Sequence, residues 1–192
     1  MLILLLGPSG IGKGTQLNLL RKRHPDFVFP KSIATRKMRP GESQGNPYNF
    51  ISDAAFNTHI ENHDFLEYAV VHQAARYGTL KQPIETALAE NKTVIKELDI
   101  QGLKNILQTI ANGEANFLKE KLQSIFLFPP NEETLIKRIT GRGAIKEQEL
   151  NARMESARKE IEQSKICTHI IPTEESDSIE DVYKKIEQAI NS

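Results

Sequence analysis

The chain has 192 residues, with 25 Lys plus Arg balanced by 25 Asp plus Glu and a single cysteine. That length supports one well-buried core with excursions and excludes two full-sized independent domains. The zero formal charge excludes a global field pulling the chain onto nucleic acid or an acidic membrane, so any anion must be held by local clusters.

In chain order, the apolar run "LILLL" (2 to 6) reads as a strand and passes straight into Gly-Pro. It is too short for a signal peptide or a membrane span. The stretch "KGTQLNLLRKRH" has helical spacing. Residues 30 to 80 are rich in turn formers and include "DFLEYAVV", the composition of a small lobe of short antiparallel strands. Then "PIETALAE" reads as helix, "TVIKELD" (93 to 99) as strand and "GLKNILQTIA" as helix. The stretch from Gly102 to Pro129 reads as an extended helix-loop on the surface, with the strand "SIFLF" (124 to 128) within it. "NEETLIKRI" is a helix with Asn131 as N-cap, and 138 to 149 is Gly-interrupted and charged, the composition of a flap. In "ELNARMESARKEI", Leu150, Met154, Ala157 and Ile161 form one apolar stripe of a core-packed helix. "ICTHII" (166 to 171) reads as a buried strand holding Cys167, which has no partner for an intramolecular disulfide and suits a reducing cytoplasm. "SIEDVYKKIEQAI" closes the order, with Ser178 and Asp181 at capping-box spacing. Strands alternating with helices imply an α/β fold built on a parallel sheet.

The segment "GPSGIGKGT" (Gly7, Pro8, Ser9, Gly10, Ile11, Gly12, Lys13, Gly14, Thr15) nearly fits the phosphate-loop pattern, with Gly14 where the hydroxyl is expected. Glycines at 7, 10 and 12 let successive N–H groups converge on phosphate oxygens, the following helix adds its positive end, and Lys13 supplies a point charge. Moving the hydroxyl to Thr15 rotates it by about 100° around the helix, toward another phosphate oxygen or a metal held through water. A plain Gly-rich turn is the bland alternative; the strand before, the helix after and the lysine in register favour the phosphate loop.

A second basic cluster, "KSIATRKMRPGESQGNPYNF" (31 to 50), sets Arg36 and Arg39 beside Lys31 and Lys37. A solvated basic face or a nucleic-acid patch is the commoner meaning of such a cluster. Here Ser32, Thr35 and Tyr48 add hydroxyls, and "PGESQG" imposes turns that would converge the arginines on one terminal phosphate. In "TVIKELD", alternation puts Glu97 and Asp99 on one face at the strand's C-terminal end, where a parallel sheet has its ligand crevice. His59 and His63, read on one helical face, lack the adjacent glutamate of zinc proteases and read as a solvated helix surface.

"GKGTQ" resembles the loop of adenylate kinases, and the ordered set Ser32, "TRKMRPGE", Tyr48, "FLEYA", "YGT" and "DIQG" resembles guanylate kinases over almost the whole chain. The resemblance implies a P-loop three-layer fold with a central parallel sheet. Its core would be residues 1–30, 80–137 and 162–192, with an inserted mixed α+β GMP-binding lobe (31–79) and a helical lid (138–161). It implies transfer of the γ-phosphoryl of ATP to GMP, and to dGMP, with Mg2+. By this resemblance residues 7 to 15 bind ATP; Arg36, Arg39, Tyr48 and Tyr77 hold the GMP phosphate; Ser32, Glu67 and Thr79 read guanine, with Asp99 on the acceptor side. Thr15 and, through water, Glu97 serve the metal, and Arg138, Arg142 and Arg153 join Lys13 around the transferring phosphoryl group. Guanine offers N1–H and N2–H to a carboxylate such as that of Glu67, and adenine does not. The implied partners are nucleotides, with neither nucleic acid nor membrane, and the implied state is a cytoplasmic monomer or homodimer. Two rival readings are a non-catalytic phosphoprotein-binding module of the same family and a same-fold kinase of a ribose phosphate.

Overall fold

The computed structural model describes residues 1–71, 75–141 and 143–192. The chain is mixed α/β, with two four-stranded sheets and seven α-helices among the described residues. It divides into two compact units. The first comprises residues 1–2, 28–94 and 101–121, and the second residues 3–27, 95–100 and 122–192.

The second unit holds, apart from Leu2 and Val94, the parallel sheet of order β6-β1-β7-β8, from β1 (Leu2–Leu6), β6 (Val94–Glu97), β7 (Leu122–Phe128) and β8 (His169–Pro172). Every residue of β1 is buried, which explains its unbroken apolar run: a central parallel strand is covered on both faces. The helices are α1 (Lys13–Arg23), α5 (Glu132–Thr140), α6 (Glu147–Gln163) and α7 (Ile179–Ile190). Local chemistry sets their ends. Asn131 Oδ1 accepts from the Thr134 N–H at 2.8 Å, and Ser178 with Asp181 forms the complete capping box. On α6, Met154 and Ala157 are buried and Leu150 and Ile161 half-buried, the apolar stripe of the sequence.

Three expectations change here. The strand anticipated over 166 to 171 begins only at His169, because the chain leaving α6 takes a 3-10 turn over Ser164–Ile166, closed by Cys167 N–H to Ser164 O at 2.9 Å. It is an edge strand with only Ile171 buried, and Cys167 is half-buried. The flap anticipated over 138 to 149 is helical at both ends, since α5 runs to Thr140 and α6 starts at Glu147, which leaves 143 to 146 without helix. Finally, β6 ends at Glu97, so Asp99 lies just past the strand.

The first unit holds the mixed sheet β3-β2-β5-β4, from β2 (Ile33–Ala34), β3 (Asn49–Phe50), β4 (Phe65–Val71) and β5 (Ala75–Leu80). β2 runs parallel to β3 and antiparallel to β5, which is antiparallel to β4. One face packs on α2 (Asp53–Glu61) through Ile33, Phe56 and Phe65, with Ile51, Ile60 and Leu80 around them. Gly78 is required by this packing: a Cβ there would meet Phe65 Cε1 at 2.5 Å. The unit also contains α3 (Lys81–Ala89) and most of α4 (Ile100–Ala111). α4 lies along the β4 edge, where Thr109 Oγ1 donates to Leu66 O at 3.2 Å and Asn105 Nδ2 to Tyr68 O at 3.4 Å. Those bonds occupy carbonyls that an edge strand otherwise exposes. The loop after α4, expected on the surface, turns inward and buries Ala115 and Leu118 completely. His59 and His63 do not share a helical face: α2 ends at Glu61, and His63 has φ +56°. His59 instead pairs with Asp64, Nδ1 to Oδ2 at 2.8 Å.

Candidate functional site

In the second unit the segment between β1 and α1 is shaped by three glycines with positive φ, of which two decide the geometry. Gly7, at φ +141°, passes so close to β7 that a Cβ would stand 2.8 Å from Leu127 O. Gly12, at φ +106°, is the left-handed N-cap that turns the chain into α1. A Cβ at Gly14 would meet nothing within 4 Å, so packing does not demand a glycine there. Thr15, one residue on, is exposed in the first turn of α1.

Lys13 opens α1. Its Nζ donates to Gly7 O at 2.6 Å and Pro8 O at 3.4 Å and lies 3.8 Å from Glu97 Oε1. Arg138, on α5, donates from Nη1 to Ile11 O at 3.1 Å, which brings a predicted transfer arginine onto the loop. Arg153, on α6, pairs with Glu149 at 2.6 Å. Arg142 lies outside the described residues. Glu97 and Asp99 are both exposed and belong to the same unit as the loop. A further carboxylate, Glu160, lies on α6 in the same unit. Burial pushes it up to about 7, against the field of Lys13 and with that of Asp99. Within the helix "ARKEI" it carries no local sign of that burial.

The first unit gathers the other predicted group. Arg36 Nε donates to the Tyr77 hydroxyl at 2.9 Å, and its guanidinium lies 5.2 Å from the ring centres of both Tyr48 and Phe50. Tyr48 and Tyr77 meet edge to face at 5.4 Å. Glu42 is the last residue of "RPGE". It accepts from Arg36 Nη1 and Nη2 at 2.6 and 2.7 Å and from the Arg39 backbone N–H at 2.8 Å. These bonds, the Arg36 contribution first, hold its carboxyl down at about 2. The Arg39 side chain is exposed. The loop carrying Glu42 and Tyr48 is tied back by Lys31 to Gly45 O, and by Gln44 Oε1, which accepts from the Phe50 N–H at 3.0 Å.

On the same sheet, Glu67 of β4 pairs with Thr79 of β5, and Thr79 Oγ1 donates to Glu67 Oε1 at 2.6 Å. Thr79 is 1% exposed, so its hydroxyl has a fixed direction and orients the carboxylate. Ser32 directly precedes β2. Ile33 pairs with Gly78, so continuing that register sets Ser32 opposite Thr79. One sheet face therefore presents an arginine–tyrosine cluster and, beyond it, an oriented carboxylate with two hydroxyls.

The guanylate kinase family model matches residues 1–192. A guanylate kinase of Leifsonia xyli subsp. xyli is 39% identical over 160 residues, covering 83% of this chain; the chain spans 59% of that relative's length. One of Corynebacterium efficiens is 34% identical over 186 residues, covering 96% of this chain and 93% of the relative. The crystal structure of guanylate kinase from Anaplasma phagocytophilum superposes with a TM-score of 0.70 at 21% identity, covering all of this chain and 84% of that one, a likeness of fold. With the Lys13-bearing glycine loop after β1 and the Arg36–Tyr77–Glu67 face of the mixed sheet described, the family match from end to end shows that the chain belongs to the guanylate kinase family.

Proposed function

We propose that this chain carries out the family's reaction as an ATP:GMP phosphotransferase, moving the γ-phosphoryl group of ATP to GMP to give ADP and GDP. The observation that carries this reading is the pairing, on one sheet, of the Arg36–Tyr77–Tyr48 clamp with the Glu67–Thr79 carboxylate. In this reading Arg36, Arg39, Tyr48 and Tyr77 hold the GMP phosphate. Glu67, oriented by Thr79, accepts from guanine N1–H and N2–H, with Ser32 beside it. Adenine would leave that carboxylate without its donors, a mismatch that costs orders of magnitude in selectivity. Asp99 serves the acceptor side.

Backbone N–H groups within residues 7 to 15, where Pro8 has none to offer, cradle the ATP phosphates, and Lys13 leaves its backbone carbonyls for the phosphoryl oxygens. Arg138, already on the loop, acts with Arg142 and Arg153 on the equatorial oxygens, where the transition state spreads its charge. No protein nucleophile is needed, because the GMP phosphate oxygen is itself the attacking group. The Thr15 hydroxyl and the Glu97 carboxylate are hard oxygen donors, and Glu97 reaches within 3.8 Å of Lys13, a donor set that fits Mg2+ retaining most of its waters. Thr15 directly or through water, and Glu97 through water, would hold the ion, which when bound neutralises phosphate charge. Among the described residues no helix is long and apolar enough to cross a membrane. The bacterial relatives and the single cysteine support a cytoplasmic setting.

The test is a coupled assay with ATP as donor and GMP, dGMP, AMP, CMP or UMP as acceptor. GMP and dGMP are expected to turn over, and fast AMP turnover without GMP turnover overturns the base assignment. Lys13→Ala is expected to abolish transfer with an unchanged circular dichroism spectrum; undiminished turnover in that variant rejects the phosphate-loop assignment.

A further inference from the structure

We propose that Arg76 is a positioning residue for the phosphate clamp, fixing through α2 the strand from which Tyr77 and Arg36 present their donors. The proposal rests on the clamp reading of Arg36 and Tyr77 given above.

Arg36 and Tyr77 are hydrogen-bonded to each other, and their immediate chain neighbours, Thr35 and Arg76, form a second pair behind them. The Thr35 N–H donates to Arg76 O at 3.0 Å, and the Arg76 N–H donates to Thr35 Oγ1 at 3.1 Å. Strand alternation sends the Arg76 side chain to the face of β5 opposite Tyr77. There its guanidinium is held at every nitrogen. Nε and Nη2 donate to Asp53 Oδ1 at 3.2 and 2.7 Å, Nη2 donates to Asp53 O at 2.9 Å, and Nη1 donates to Asn57 Oδ1 at 2.6 Å. The same group lies 4.6 Å from the ring centre of Phe56, which is fully buried in the core of this unit.

Asp53 opens α2 and Asn57 follows one turn later, so Arg76 bolts the first turns of that helix to β5. An ordinary exposed ion pair contributes little. This one is different in kind: a planar fork satisfied on both edges, stacked on an aromatic face, with its side chain only 17% exposed. A lysine could replace the charge but not the fork. The residue after Arg76 in the strand is the clamp tyrosine, and the residue after Thr35 is the clamp arginine, so any slip of the rear pair moves both front donors together.

The experiment is steady-state kinetics with GMP and ATP varied separately for Arg76→Gln, Arg76→Lys, Asp53→Asn and Arg36→Ala. Arg76→Gln is expected to raise KM for GMP on the order of ten-fold while KM for ATP stays within about two-fold, because donor misplacement penalises only the ligand the donors hold. Arg76→Lys should recover only part of the loss. An unchanged KM for GMP, or an equal rise for both nucleotides, overturns the proposal. Should Arg76→Gln not fold, Asp53→Asn decides. Its side chain is 70% exposed, so that variant changes the fork's partner without opening the core. A smaller but GMP-selective rise is expected, and no rise overturns the proposal. Arg36→Ala separates the two readings: no effect on KM for GMP there sinks the clamp itself, whereas an effect there without one at Arg76 sinks only the positioning role.

Discussion

Glu42 sits in the guanidinium fork of Arg36, with Oε2 2.6 Å from Nη1 and Oε1 2.7 Å from Nη2. A carboxylate there also takes the Arg39 backbone N–H at 2.8 Å, so one side chain ties together the two arginines assigned to the GMP phosphate. Its carboxyl is held at about 2 against an ordinary 4.5, so the tie is fully present above pH 4.5 and is lost as pH falls toward 2. Glu42→Gln leaves one acceptor oxygen where there were two and sets an amide NH2 against an Arg36 donor, so one arm of the fork loses its bond. It is expected to raise KM for GMP several-fold with KM for ATP unchanged, as read by steady-state kinetics. A KM for GMP that stays put would show that Arg36 keeps its aim without Glu42.

Glu67 is oriented by the buried Thr79 hydroxyl at 2.6 Å. In the proposed site, Glu67→Gln places an amide where the guanine donors would meet the carboxylate. It is expected to cut kcat/KM for GMP on the order of a hundred-fold while ATP affinity changes little. Thr79→Ala, which frees the carboxylate to rotate, should fall between that variant and the native protein. Equal losses on both nucleotides would argue against base reading by Glu67.

Glu160 is half-buried, with its carboxyl pushed up to about 7 by burial. Ionising it therefore costs folding stability that sets in above pH 4.5 and is complete above about 7. Glu160→Gln removes that cost. In urea unfolding the variant should be more stable than the native protein by about 2 kcal/mol at pH 8, with the difference shrinking toward zero at pH 4.5. A pH-independent difference would mean that the carboxyl titrates normally.

Gly78 faces Phe65 with no room for a methyl group, since its Cβ would lie 2.5 and 2.7 Å from two ring carbons. Phe65 is itself packed against Phe56 at 4.5 Å between ring centres, so the ring has little freedom to retreat. Gly78→Ala is expected to destabilise the chain by about 1–3 kcal/mol and to weaken GMP use, because Tyr77 and Thr79 flank it. Unfolding midpoints matching the native protein would show that the ring gives way freely.

Features governed by a few consecutive residues were legible in the sequence. The glycine turn between β1 and α1, the Asn131 cap, the Ser178–Asp181 box, the buried run of β1 and the stripe on α6 all follow from backbone sterics and side-chain periodicity, which act over one or two turns. The motifs around Arg36, Glu67 and Lys13 identified the family for the same reason, since each is a short segment whose chemistry needs fixed spacing. The tertiary structure alone decided which partner each charged group takes. Arg36 meets Tyr77 across 41 residues, Arg76 meets Asp53 across 23, and Arg138 meets Ile11 across 127. Those meetings depend on strand register and helix packing, which no local pattern encodes. The same is true of Glu160, whose raised carboxyl reflects burial and the fields of Lys13 and Asp99, and of the strand near residue 169, which starts late because α6 unwinds through a 3-10 turn before it. Sequence carried the chemistry each residue can perform; the folded chain determined which groups are close enough, and dry enough, to perform it together.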